Sequence, residues 1–121
     1  MIPSQMLKGI LEGCVLAIIS EKETYVYEIS ERLMKYGFGR ITEGTVYPLL
    51  LRLEKNGLIR ATYRASDVGP RRKYYGLTPE GCGALKEFYD SYLELTDAVN
   101  HLMRDVRGGE GDEQKDEAPA K

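Results

Sequence analysis

A chain of 121 residues, 42% apolar and 30% charged, has the size and make-up of one small globular domain. Its net charge of −2 excludes a uniformly basic nucleic-acid coat, and two cysteines at no metal-ligand spacing exclude a disulfide framework or a cysteine-rich metal site. The longest unbroken apolar run, "CVLAII", is far short of the ~18 residues of a membrane span. No signal-peptide pattern opens the chain, so a cytoplasmic protein without a membrane partner is expected.

The net charge hides an asymmetry. Residues 35 to 77 hold nine Lys/Arg against three Asp/Glu, and residues 78 to 121 hold five against eleven. A basic middle beside an acidic end suits a local phosphate-binding surface; a chance fluctuation on a solvated face produces the same pattern.

In chain order, apolar residues at 7, 10, 11, 14, 15, 18 and 19 predict an amphipathic helix over 7–20 with an unusually wide stripe. Thr24 then reads as the N-cap of a second helix over 25–36, stopped by Gly37 and Gly39. A third helix ends at Asn56-Gly57, with Val46, Leu50 and Leu53 facing inward. Its start is ambiguous because of Pro48. If Thr45 caps the helix, the missing N–H of Pro48 costs no helical bond. If the helix starts at Thr42, the first turn is distorted, and this second start is the preferred one.

"LIRATYR" and "RKYYGL" alternate in strand style around the turn-forming "ASDVGPR". They predict a hairpin with Ile59, Ala61 and Tyr63 on one face and Lys73, Tyr75 and Leu77 on the matching face. Arg71 and Arg72 sit at its tip. Thr78-Pro79 is a strong helix start, and apolar residues at 85, 88, 92, 95, 99, 102 and 106 form a heptad stripe down to about residue 107. The last residues, 108–121, contain no large apolar side chain and read as a disordered acidic tail.

Three helices, a two-stranded hairpin and a long helix give a fold that is mainly α with a small two-stranded β wing: a winged helix-turn-helix (1–77) with an added C-terminal dimerisation helix (78–107). Within it, "ITEGTVYPLLLRLEKNGLI" followed by "GPRRKYYGLTPEG" resembles the PadR family of bacterial transcriptional regulators, over residues ~7 to 85. Its members typically carry "Gly-Thr-Leu-Tyr-Pro-Leu-Leu" and "Arg-Lys-Tyr-Tyr-x-Leu-Thr". Val46 replaces the commoner leucine, a small change in volume, and Val26 stands where the family usually has glycine.

Helix-turn-helix proteins present the start of the second helix of the motif to the major groove. That places Thr42, Glu43, Gly44, Thr45, Tyr47 and Pro48 at the DNA. Gly44 would allow close backbone approach, and the threonines offer hydroxyls and methyls to phosphates or bases. Tyr47 either reads bases or packs against the second helix. Arg71, Arg72 and Lys73 would reach phosphates or the minor groove. Arg40, Arg52 and Lys55 are candidate backbone contacts, and Tyr25 either touches phosphate or is buried.

The resemblance implies a two-fold dimer through the first and last helices. Met6, Leu7, Ile10 and Leu11 would come from the first, and Phe88, Tyr92, Leu95, Val99, Leu102, Met103 and Val106 from the last. Two reading helices would then lie ~34–36 Å apart on a palindromic operator. In some relatives small aromatic ligands bind near this interface and release DNA, so such an effector is a candidate partner, although the chain has no Trp to stack on one. His101 has no catalytic partner, Cys14 and Cys82 read as small hydrophobes, and no nucleotide loop or nucleophile triad is present. No enzyme activity and no cofactor are expected. The leading expectation is a homodimeric, sequence-specific DNA-binding repressor. Its rivals are a winged-helix protein-interaction module and a small-molecule binding protein.

Overall fold

A computed structural model describes residues 1–65 and 69–108. The element order is α1 (Ser4–Leu7), α2 (Leu11–Glu21), α3 (Val26–Tyr36), α4 (Glu43–Lys55), β1 (Ile59–Arg64), β2 (Arg72–Leu77) and α5 (Pro79–Gly108). This is the expected mainly helical fold with a two-stranded wing and a long last helix. The expected acidic tail lies outside the described residues from 109 onward, as does the hairpin turn at 66–68.

The first predicted helix is corrected: α1 and α2 are separate. Ile10 N–H closes a turn on the Leu7 carbonyl at 2.9 Å, and Gly9, a residue that disfavours helix by ~1 kcal/mol relative to Ala, stands at the break. The wide stripe nevertheless does what its width implied. Leu11, Val15, Leu16, Ile18 and Ile19 are all buried, so α2 is covered on more than one side.

Thr24 does not cap α3. Its backbone is drawn out by an antiparallel bridge to Tyr75 on the free edge of β2, with Thr24 N–H on Tyr75 O at 3.1 Å and Tyr75 N–H on Thr24 O at 2.7 Å. The helix therefore starts one residue later, with Tyr25 at the cap position, and the Thr24 hydroxyl donates to Glu28 at 2.5 Å. The end of α3 follows expectation. Gly37 adopts φ 103°, and Phe38 N–H reaches Leu33 O while Gly37 N–H reaches Met34 O, the paired bonds of a Schellman stop. Ser30 Oγ then donates to the Ile41 carbonyl, tying the α3–α4 turn to the helix before it.

Ile29 and Leu33 from α3 meet Ile41 and Val46, Leu50 and Leu53 from α4 in one core with α2, Ile59 and Tyr75. The hairpin pairs Ile59 with Leu77, Ala61 with Tyr75 and Tyr63 with Lys73, so the side chains sort onto the two faces as the alternation requires.

The start of α5 is clamped to the end of α4. Thr78 Oγ1 donates to the Gly57 carbonyl at 2.7 Å and accepts from Gly81 N–H at 3.0 Å, and Thr78 N–H donates to Leu58 O at 3.1 Å. Thr78 thus acts as the expected N-cap.

The chain divides into two compact units, Met1–Lys86 and Glu87–Lys121. Among the described residues of the second, Tyr89, Tyr92, Leu93, Leu95, Val99, Leu102, Met103 and Val106 are exposed. Phe88 is half-buried and stacks on Tyr92 at 6.2 Å between ring centroids. In the first unit Met6 is exposed and Ile10 half-buried, whereas Leu7 and Leu11 lie in the chain's own core. Intramolecular packing already encloses those two candidate partner contacts, at 6% and 7% exposure. No helix among the described residues is long and apolar enough to cross a membrane.

Candidate nucleic-acid interface

Thr42 caps α4. Its Oγ1 accepts from Thr45 N–H at 3.3 Å, and its carbonyl accepts from both Thr45 N–H and Val46 N–H at 3.0 Å. The first turn thus mixes three- and four-residue closure, in line with the preferred start and its distorted turn. Pro48 lies inside the helix, where it offers no N–H to the Gly44 carbonyl.

Thr42, Glu43, Gly44, Thr45, Tyr47 and Pro48 are exposed, and Val46 between them is fully buried. One core residue therefore anchors a turn whose other side chains face outward. Part of the threonine chemistry is internal, since the two hydroxyl oxygens lie 3.2 Å apart. Gly44 is not required by the fold: a Cβ there would meet only Thr42 Oγ1, at 3.7 Å. Glu43 suits the positive end of the helix, and a carboxylate there repels phosphate but can accept from a cytosine amino group. Tyr47 is 41% exposed and lies outside the core cluster.

The three wing cations part company. Arg71 and Arg72 are exposed, with Arg71 5.4 Å over the Tyr63 ring and Arg72 4.3 Å over the Tyr25 ring. Among the described residues no carboxylate pairs with either. Lys73, on the opposite face from Arg72, turns inward: its Nζ is 3.3 Å from Glu54 Oε1 on α4. Burial works to lower the Lys73 pKa, but the neighbouring Tyr75 and the Glu54 carboxylate outweigh it and hold the ammonium above its ordinary value. Burial pushes the Tyr75 phenol up.

Tyr25 is half-buried against the edge of Tyr74, centroids 5.2 Å apart. Arg64 stacks 4.5 Å over Tyr74 and pairs with Glu23. This cluster of Arg64, Tyr74, Tyr25 and Arg72 fixes the wing to the start of α3. It also offsets the repulsion expected of Arg64 and Arg72 lying directly opposite in the ladder. Sequence reasoning missed Arg64, Tyr74 and Glu54. The alternation already placed Arg64, Arg72 and Tyr74 on one face and was the signal that could have found the first two. Arg52, a candidate backbone contact, pairs with Glu12 of α2 at 2.5 Å. Arg40 is exposed in the α3–α4 turn.

Among the described residues no group of His, Cys, Asp or Glu could hold a metal. Cys14 is half-buried with its thiol pKa raised by burial, and Cys82 is exposed. His101 lies 4.0 Å from Asp105 on the same helix. The start of α4 thus presents exposed short and aromatic side chains, and the wing presents two arginines stacked on tyrosine rings.

Comparison with known proteins agrees. Residues 15–87 match the PadR-like family of transcriptional regulators. A PadR-like transcriptional regulator from Bacillus cereus is 51% identical, covers 83% of this chain and 97% of its own, and superposes with a TM-score of 0.74. A Streptococcus transcriptional regulator is 45% identical, with 82% and 97% covered and a TM-score of 0.73. The transcriptional regulator Rv3488 of Mycobacterium tuberculosis is 33% identical over 96 residues, 79% of this chain and 81% of that protein. These relatives are regulators rather than enzymes. With the family match spanning more than half its length, this chain belongs to the PadR-like family of transcriptional regulators.

Proposed function

We propose that the protein is a homodimeric repressor that binds operator DNA through the start of α4 and the wing. The observation that carries this reading is the first turns of α4. Their exposed Thr42, Glu43, Gly44, Thr45 and Tyr47 are unused by the core, and Gly44 has no folding reason to be glycine. A helix start of this kind reads base edges by hydroxyl, carboxylate and ring contacts, while its free N–H groups favour phosphate oxygens. Arg71 and Arg72 rest on tyrosine faces that leave guanidinium N–H groups available to phosphates or the minor groove. Residues 1–77 act as the reading domain, with Arg40 as an auxiliary backbone contact. Residues 78–107 supply the dimer seam through Phe88, Tyr92, Leu95, Val99, Leu102, Met103 and Val106, joined by Met6 and Ile10. Burying such side chains contributes ~1.5–3 kcal/mol each, enough in number to exceed an association cost of about 4–15 kcal/mol. Release from the operator would follow from a small ligand or another signal.

The test is a mobility-shift titration against the DNA upstream of its own coding sequence at two salt concentrations. Binding weakens steeply with salt, and Arg71→Ala with Arg72→Ala weakens it further while flattening that dependence by about 0.9 for each phosphate no longer neutralised. An absent shift, or one indifferent to both arginines, refutes the reading.

A further inference from the structure

Lys73 is the wing cation that the hairpin does not present outward. Its register partner is Tyr63, and its side chain shares a face with Ala61 and Tyr75, the face turned to the core. The side chain is 21% exposed, and its Nζ lies 3.3 Å from Glu54 Oε1, 5.4 Å from the Tyr75 ring centroid and 5.9 Å from the Tyr47 ring centroid, within cation–π range of both rings. Tyr75 is fully buried. Tyr47 and Glu54 are seven residues apart on α4, two turns along one stripe of the helix. One ammonium on the wing therefore grips the reading helix at both ends of that stripe: the acid near its last turn and the ring near its first.

From this geometry we infer that Lys73 is a positioning residue, which holds the Tyr47 ring at its reading angle and locks the wing to α4, rather than a phosphate contact. The inference rests on the DNA-binding reading of the same surface. To reach a phosphate, Lys73 would have to leave Glu54, a carboxylate whose side chain is only 37% exposed, and abandon both rings. A cation among aromatic faces and a carboxylate is held most strongly where water is partly excluded. Arg71 and Arg72 have no such carboxylate among the described residues and carry the phosphate work. Lys73 instead carries specificity, through the orientation of a neighbouring side chain.

The two roles differ in what they do to salt dependence. Each phosphate contact contributes about 0.9 to the slope of log K against log salt, and a positioning group contributes nothing. The experiment measures that slope with the full chain and the operator found in the DNA upstream of its own coding sequence, for wild type, Lys73→Met, Glu54→Gln, Arg72→Ala and Tyr47→Ala. Each is also tested against operators substituted one base pair at a time. Lys73→Met should lose affinity about tenfold, the scale of one base contact, at unchanged slope. It should flatten discrimination at the same base pair that Tyr47→Ala flattens. Arg72→Ala should reduce the slope at unchanged discrimination. Glu54→Gln separates the roles by sign. It weakens binding and relaxes discrimination if Lys73 positions Tyr47, and it tightens binding if Glu54 merely withholds Lys73 from phosphate. A slope reduced by about 0.9 in Lys73→Met, or tighter binding by Glu54→Gln, overturns the inference. Should Lys73→Met lose its helical circular dichroism, the near-isosteric Glu54→Gln decides alone. Absence of DNA binding by the wild type would count against the function itself, and so is distinguishable from failure of the positioning role.

Discussion

Gly81, in the first turn of α5, packs directly on the backbone of Leu58: a Cβ built on it lies 2.0 Å from the Leu58 carbonyl oxygen and 2.8 Å from Leu77 Cδ1. The same carbonyl accepts from Thr78 N–H, so the close approach of α5 to the α4–β1 junction is also what seats the cap. Backbone cannot yield here as a flexible side-chain tip would. Gly81→Ala should therefore cost about 3 kcal/mol or more, the upper end of overpacking, although alanine is the better helix former. Urea denaturation checks this. A variant as stable as wild type would show that the junction can open without loss.

Gly44 should behave in the opposite way. A Cβ there makes only an ordinary van der Waals contact with Thr42 Oγ1 and its conformation is helical, so Gly44→Ala should leave stability unchanged or raise it by about 0.5–1 kcal/mol. Operator affinity should nevertheless fall at least about tenfold, because the added methyl stands between the helix and the base edges. The pair of measurements, a melt and a mobility shift, separates a folding glycine from a reading glycine.

Alkali should loosen the wing. Lys73 and Tyr75 both hold their protons more tightly in the folded chain than at their ordinary values of 10.5 and 10.0. For groups with raised pKa the stabilisation is complete below the unfolded value and is lost as pH rises through the folded one. Urea midpoints should thus be insensitive to these two groups up to about pH 10 and decline above it. Tyr75→Phe should shallow that decline.

The exposed stripe of α5 should govern assembly. Leu95 is 54% exposed and Leu102 61% exposed, and charged residues at both positions would place carboxylates in the seam. Leu95→Asp with Leu102→Asp should convert a dimer to a monomer in sedimentation at micromolar concentration. The helical signal of residues 1–86 should persist, because their core lies elsewhere. DNA affinity should drop sharply with the loss of paired half-site binding.

Much of the fold was legible in the sequence because it is governed by local rules. The spacing of Ile29 and Leu33, and of Val46, Leu50 and Leu53, names the buried faces of α3 and α4 from helical period alone. Gly37 and Thr78-Pro79 mark a stop and a start through φ and hydrogen-bond chemistry within a few residues. The hairpin faces follow from the two-residue period, and the exposed turn at 42–47 from the family motif. All of these depend on neighbours along the chain.

Tertiary structure decided whatever depends on neighbours across it. Thr24 has a good capping side chain, but the edge of β2 claims its backbone, and Tyr25 takes the cap position instead. Leu7 and Leu11 belong to an apolar stripe whose partner no periodicity can name; the core holds them, leaving Met6 exposed and Ile10 half-buried. Arg71, Arg72 and Lys73 are three adjacent cations in sequence, yet strand alternation and the placement of Glu54 send Lys73 inward and leave the arginines on tyrosine faces. A side chain's type states what it can bond to. Which partner it meets is set by packing between distant segments, and only the folded chain specifies that.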